Sequence, residues 1–452
     1  MDITGRVANF IVSLGYDEMP DEVISKAKLA MLDCTGVTLA GSTDQASKIT
    51  GGLVKLFLGQ PMATVIGQGF RASIPDAAFV NGTTAHVLDY DDGATLSIPL
   101  HPSAPVLPAV MSLGESRKES GKRMIESYVT GYEVEAKLAE AMTTGHYEKG
   151  WHTTGTLGTL GAAAAACKIL SLGVEETRTA LGIAASMVGG LRENFGTMTK
   201  PLHAGNAARN GTVAALLAER GYTASRKILD GESGFLGVYG PNGFRIRHEY
   251  IETLGRPFSI ISPGLSLKPY PSCRATHSSI DGIIRLLKQN PLSPGEVETI
   301  ECGISPLSDS VLIYSDPHTG NEGKFSLEYC VTRAFWEKEV NLGDFTDEKV
   351  TDPDTQKFMK KVKRYPLSEE ERPHHHRSAK IKIIAKNGSS YFCSIDEPKG
   401  SPTDPMSDEE VRRKFMDCSR MHLPKKEANS VLEMIEKLEF VKDVSELMRL
   451  LI

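Results

Sequence analysis

Gly155-Thr-Leu-Gly-Thr-Leu-Gly161-Ala-Ala-Ala-Ala-Ala-Cys167-Lys-Ile-Leu-Ser-Leu172 admits two readings, and the choice between them decides the fold. Read as a glycine-rich phosphate loop, it would open a dinucleotide-binding sheet. Its glycines, however, lack the Gly-x-Gly-x-x-Gly order, and no strand-like run precedes them. Read as a helix, the stretch offers small residues that let neighbouring backbones approach closely. The surroundings favour the helix, because Glu126–Met142, Thr177–Val188 and Asn206–Arg220 are also rich in Ala and Leu, with glycines near several ends. Upstream, Val23, Ala27, Ala30, Met31 and Cys34 recur at helical spacing within Asp21–Ala40. Together these segments predict an all-helical core.

The pattern changes near Pro263. Ile280, Ile283, Ile284 and Leu287 mark an amphipathic helix, and Val297–Ile304 alternates as a strand does. In Ala379–Lys386 two isoleucines, Ile381 and Ile383, alternate with lysines; Asn387-Gly388 follows, then Tyr391, Cys393 and Ile395, which predicts a hairpin. Pro398-Lys-Gly-Ser-Pro402 breaks that pattern. Asp408–Met416 and Lys426–Leu438 are helical again, so the C-terminus is expected to return to the helical part. Pro373-His-His-His-Arg377 is read as a solvated loop, since three adjacent histidines cannot all face one ligand.

A chain of 452 residues is long enough for two or three units, and two are expected here. With 40% hydrophobic and 24% charged residues it has the composition of a globular protein, not of a disordered one. The formal charge of −6 gives no basic face for nucleic acid and no polybasic tract for a membrane surface. An anionic substrate would therefore need a local cationic pocket. Such a pocket can prevail: one close charge pair contributes about 4 kcal/mol at an effective dielectric near 20, whereas distant charges are screened over roughly 8 Å. Seven scattered cysteines without a Cys-x-x-Cys pair argue for a reducing compartment and against zinc ribbons and most iron–sulfur sites. Met1-Asp-Ile-Thr-Gly-Arg6 lacks a basic region followed by an apolar core, so no signal peptide is expected; glycines, Thr159 and Lys168 interrupt the longest apolar run before it could span a bilayer, and the expected location is the cytoplasm.

Four clusters carry candidate chemistry. The first, His86-Val-Leu-Asp89-Tyr-Asp91-Asp92-Gly93 with His101-Pro-Ser103, gathers carboxylates and imidazoles; Pro102 biases His101 towards an extended or turn conformation. A calcium loop fails here, because its sixth and twelfth positions hold Ala94 and Leu100 instead of Gly and Glu, and no His-Glu-x-x-His pair occurs. No metal is expected, and any one of these aspartates is alternatively a helix cap. The second cluster, His146-Tyr147-Glu-Lys-Gly-Trp151-His152, precedes the Ala-rich helix, where polar groups either meet an anion at the helix N-terminus or serve as anchor and cap. The third, Thr199-Lys200-Pro201-Leu202-His203, and the fourth, Lys268-Pro-Tyr270-Pro-Ser-Cys273-Arg274, set cations beside prolines. Such cations are either preorganised carboxylate binders or ordinary surface charges. No Gly-x-Ser-x-Gly elbow, Walker loop or Rossmann fingerprint is present, and no nucleotide cofactor is expected.

At these clusters the chain resembles the MmgE/PrpD family, which includes 2-methylcitrate dehydratase, cis-aconitate decarboxylase and iminodisuccinate epimerase. The resemblance runs through Leu88-Asp-Tyr-Asp-Asp92, His101-Pro-Ser103, Gly150-Trp-His152, Gly155–Gly161, Thr199–His203, Gly205-Asn-Ala-Ala208, Lys324-Phe-Ser-Leu327 and Pro398-Lys-Gly400. It implies a mainly α fold, with a large helical domain (1–265 and 403–452), a smaller α+β lid domain (266–402), a site between them without a cofactor, and a homodimer. Carried over by motif, the family's active-site positions fall on Asp89, His101, His152, Lys200 and Lys268, with Tyr147 and Tyr329 as further candidates; His203 and Arg274 join them as substrate-binding candidates. Two positions depart from the decarboxylase pattern. Asp91-Asp92-Gly93-Ala94 stands where that pattern has Asp-Asp-Thr-Trp, and Cys273 stands where some relatives have His.

The expected reaction is that of a lyase on a small polycarboxylate, with a 2-methylcitrate dehydratase-like activity in the lead. Lys200, Lys268 and His152 would bind carboxylates while His101, oriented by Asp89, moves a proton. An epimerase would need two proton-transfer groups on opposite faces of one carbon, for which Tyr147 and Lys200 are the candidates. A decarboxylase, or a carboxylate sensor without activity, completes the alternatives.

Overall fold

The computed structural model describes residues 2–94, 98–241, 243, 246–371 and 377–452. The loop expected at Pro373–His376, and part of the run leading to His101, lie outside these residues. The fold is mainly α: helices make up 57% of it and strands 9%.

The quoted stretch is a helix, Thr153–Ile169, and every residue in it is buried. A Cβ at Gly158 would stand 2.7 Å from Pro105 Cγ, and one at Gly161 would stand 2.7 Å from Glu135 Oε2, so these glycines permit close helix packing. Around it lie Ser103–Arg117, Gly121–Met142, Val174–Ala185 and Thr199–Glu219, with Ile74–His86 packed on the first and last of these. Thr199–Glu219 begins seven residues before the expected Asn206, because a proline in the first turn gives up an N–H that has no intrahelical partner there. Lys200 and His203 therefore share one face of a helical first turn. The C-terminal helices return to this body: Asp408–Ser419 packs on Asp21–Gly41, and Val411, Phe415 and Leu451 join the same apolar core as Ile3 and Leu107.

A second core gathers Ile280, Ile283, Ile300, Val331, Ile381 and Ile383 around a four-stranded sheet. The strand order is Val362–Pro366, Val297–Ile304, Ala379–Ala385, Ser390–Ile395; the first pair is parallel and the others antiparallel. The expected hairpin is present with Ile381 opposite Cys393, and Gly388 (φ 84°) supplies the left-handed turn residue. Tyr147 and Phe195 of the helical body also enter this second core, so the two units are continuous at the cavity described next.

A very short ladder fixes that junction. Gly93 pairs with Ser266 and Ala94 with Leu265, which brings the Asp89–Asp92 turn beside Lys268 although they are far apart in the chain.

Candidate active site

The ends of several helices converge here. His86 closes Ile74–His86, His101 precedes Ser103–Arg117, His152 stands at the N-cap of Thr153–Ile169, and Lys200 lies in the first turn of Thr199–Glu219. Three helix N-termini are thus gathered at one place, an arrangement that favours anions. Between these ends and the α+β unit lies a cavity. Its described lining includes Asp89, His101, Tyr147, His152, Lys200, Lys268, Cys273, Arg274 and Arg377. Lys200, Lys268, Arg274 and Arg377 are four cations, and Asp89 is the one acidic residue in that described lining.

Asp89 anchors the lysines. Its backbone is left-handed (φ 52°), a conformation that Asp tolerates better than most residues. Lys268 Nζ donates to Asp89 O at 2.8 Å and to its Oδ1 at 2.5 Å, while Lys200 Nζ stands 3.1 Å from Oδ2. Burial pushes this carboxyl up, but the two ammonium groups outweigh it and hold Asp89 well below the usual carboxylate range. Lys200 also faces the rings of Phe325 and Phe195, at 5.2 and 5.5 Å.

The expectation that Asp89 orients His101 is corrected by this geometry, since its carboxylate is committed to lysines. Asp91 takes that place: its Oδ2 is 3.2 Å from His101 Nδ1 and 2.8 Å from His86 Nδ1, and His101 Nδ1 also lies 2.9 Å from Asp92 O. His86 and Asp91 were not singled out as site residues. Only their position five apart, across a helix end, could have suggested that they meet. Burial pulls His86 down to about 3, leaving a neutral ring that donates Nδ1–H to an ionised Asp91.

His86 stacks on His152 at 5.6 Å, and His152 Nδ1 meets His203 Nδ1 at 3.0 Å. Burial, then the charge of Lys200, pulls His152 well down, and burial brings His203 to about 4. Both are therefore neutral near pH 7, so His152 offers a hydrogen bond and not a positive charge. His203 stands behind His152, outside the described lining, which corrects its expected contact with substrate to a supporting one. Tyr329 is also corrected. Its ring packs against Phe345, and its hydroxyl donates to the Asp344 carbonyl, on another side of the helix Leu327–Glu337. Tyr147 lines the cavity with the Arg192 guanidinium 4.1 Å from its ring centroid.

Further residues close the floor, and of these Lys414 and Asp33 lie outside every cluster read from the sequence. Lys414, from the helix Asp408–Ser419, donates to Tyr90 O (2.7 Å) and Lys268 O (2.9 Å) and pairs with the Asp33 carboxylate at 2.7 Å. It clamps both sides of the Asp89–Lys268 junction. Asp92 lies with its carboxyl on Ser103, its Oδ2 2.9 Å from Ser103 Oγ, which is 2.6 Å from the Tyr128 hydroxyl. Burial and the neighbouring Asp91 push Asp92 up to about 8.

His86, Asp91 and His101 offer ligand atoms within 4.8 Å of one another, the grouping among the described residues that could hold a metal ion. The same contacts are satisfied by two imidazole N–H groups on one carboxylate oxygen.

A mainly helical enzyme with a cation-lined cavity, and with paired lysine and imidazole groups at one end of it, is the class that fold and site define. The chain belongs to the MmgE/PrpD family: the MmgE/PrpD N-terminal domain matches residues 5–246 and the MmgE/PrpD C-terminal domain matches residues 270–439. It is 30% identical to the cis-aconitate decarboxylase of Mus musculus over 99% of this chain and 93% of that protein. Identity to the Homo sapiens protein of the same name is 29%, over 99% and 94%, and to the Aspergillus terreus one 25%, over 99% and 96%. The chain is an enzyme of the lyase class.

Proposed function

We propose that this lyase removes carbon dioxide from a small unsaturated tricarboxylate of the cis-aconitate kind, using side chains alone. The observation that carries the reading is the cavity wall, where, among the described residues, four cations face one carboxylate and two imidazoles stand at the lysine end. Loss of carbon dioxide from a carbon beside an alkene releases an electron pair. That pair moves through the double bond and is quenched by a proton at the far alkene carbon. Negative charge develops on the carboxylate attached there, where Lys200 and Lys268 stabilise it. His101, with Nδ1 held by Asp91, keeps Nε2 for the proton. His152 donates a hydrogen bond, and Tyr147 shapes the wall beside it. The curated relatives, all named for cis-aconitate decarboxylation or its likeness, support this order of readings over the dehydratase-led one.

A second reading has its own observation. Gly93, Ala94 and Cys273, where the chain departs from the decarboxylase pattern, all line the cavity, which supports a different acid such as 2-methylcitrate. In that reading the same groups abstract a proton and protonate the departing hydroxyl.

Incubation with cis-aconitate, 2-methylcitrate, citrate and D- and L-iminodisuccinate in deuterated water, followed by NMR, tests both. Carbon dioxide release with one deuteron in the product from cis-aconitate is expected. An alkene formed from 2-methylcitrate selects the dehydratase, deuterium in an unreacted iminodisuccinate enantiomer selects an epimerase, and calorimetric binding without conversion selects a sensor.

The proposal includes a cytoplasmic homodimer. All seven cysteines are free, which supports a reducing compartment, and no helix among the described residues is long and apolar enough to cross a membrane. The dimer rests on the family resemblance, and analytical ultracentrifugation tests it.

A further inference from the structure

We propose that Arg274 and Arg377 form a second carboxylate subsite, on the α+β wall of the cavity, that holds the carboxylate of the substrate farthest from the reacting carbon. This rests on the polycarboxylate reading above and adds to it where the extra charge is bound.

Arg274 opens a short turn before the helix His277–Gln289 and lines the cavity. Its Nη1 is spent on two backbone carbonyls, Leu267 O at 3.2 Å and Lys399 O at 3.3 Å, and stands 3.5 Å from His277 Nδ1. Those contacts fix the guanidinium plane. Its Nη2 is withdrawn from solvent and has no hydrogen-bond partner among the described residues. A buried guanidinium donor without an acceptor is costly, and a carboxylate is the acceptor that pairs most strongly with a guanidinium. Arg377 lines the same wall, held by Glu397 Oε1 at 3.0 Å.

The nearby carboxylates do not fill this role. Glu397 is engaged with Arg377, and Asp281 accepts from the Tyr270 hydroxyl at 2.7 Å and from Lys399 N–H at 2.8 Å; neither lines the cavity. Burial, followed by the charge of Arg377, pulls Arg274 down to about 10, consistent with a wall short of negative charge. At the other end Lys200 and Lys268 share Asp89, so these three groups together carry one net positive charge. A second cationic pole is what separates a polycarboxylate from a simple acid.

The test uses the full-length enzyme with tricarballylate, a saturated and unreactive tricarboxylate, and butyrate, which has a single carboxylate for the lysine end. Calorimetry and ligand NMR give the two affinities. Arg274→Gln and Arg377→Gln are each expected to weaken tricarballylate by about ten- to a hundredfold, the usual effect of losing a hydrogen bond to a charged group, and to leave butyrate within about twofold. Lys268→Gln should weaken both acids. Arg274→Lys, which keeps the charge but not the fork, should recover part of the tricarballylate affinity. Equal loss of both acids in Arg274→Gln is the result a merely structural arginine gives, and overturns the subsite, as does no loss of either. If the unaltered enzyme binds neither acid and Lys268→Gln changes nothing, the carboxylate reading itself falls.

Discussion

On the helical side of the cavity, His101, His152 and Lys200 stand at the starts of three long helices, and a carboxylate or a second imidazole fixes each of them. On the α+β side, Arg274 stands on a short turn and Arg377 beside a strand, held by carbonyls and by Glu397. The contrast follows from what each wall must do. Proton transfer needs a nitrogen within hydrogen-bond reach and at the right angle, so its groups belong on rigid elements with their second nitrogen already committed. Charge recognition tolerates more latitude, because Coulomb attraction falls off slowly with distance. Chemistry common to a family can then stay in one wall while the acid it accepts is set by the other.

The largest effect should come from the helical wall. His101→Ala is expected to lower turnover about 10³-fold with little change in tricarballylate affinity, since it removes a proton-transfer group and no positive charge. Steady-state rates with the substrate identified by NMR check this. Turnover within a factor of three of the parent would take the proton step away from this wall.

A smaller loss, of about 10²-fold, is expected for Asp91→Asn. An amide oxygen can still accept from both rings, and Asp92 O still holds His101 Nδ1, but the negative charge that steadies His101 while it carries the proton is gone. The same triad allows a sharper question. Dialysis against EDTA should leave turnover unchanged if protons and not an ion hold His86, Asp91 and His101 together. Activity lost on dialysis and restored by added zinc would assign these three residues to a metal instead.

How much of this contrast could be read from the sequence differs between the walls. The helices were legible because Ala and Gly recur where backbones must approach, and the hairpin because Asn387-Gly388 interrupts a period-two pattern. The start of Thr199–Glu219 was placed late because Pro201 reads as a boundary, although a first-turn proline costs nothing. Lys268 and Asp89 were each identified, yet not as partners, because the two-residue ladder that joins them has no sequence signal. Tyr329 follows a family motif closely, but nearness in sequence does not tell which side of a helix a ring takes. Lys414 was invisible for a related reason: a lysine in a charged terminal helix looks solvated until the fold buries it.

The smallest effect tests whether neighbouring aspartates can answer to opposite rules. Asp89 is held low by two lysines, whereas Asp92, three residues on, is pushed up to about 8 by burial and by Asp91. For Asp92 the folded chain keeps a proton that the unfolded chain, with an ordinary carboxylate near 3.8, has already lost. Its contribution to stability is therefore full below about pH 4 and is lost as pH rises through about 8. Asp89 works in reverse, contributing above its ordinary range and losing that contribution as pH falls. Asp92→Asn supplies a neutral side chain of the same shape, able to accept from Ser103 N–H and to donate to Ser103 Oγ. The melting temperature of Asp92→Asn relative to the parent should therefore rise between pH 5 and pH 8.5 by roughly ten degrees, from about three pH units at about 1.4 kcal/mol each and about 2–4 °C per kcal/mol. His86 and His203 titrate equally in both proteins and cancel in that difference. A gap that stays constant across the range would mean that Asp92 is ionised in the fold, and the acidic floor beneath His101 would then carry two charges in place of one.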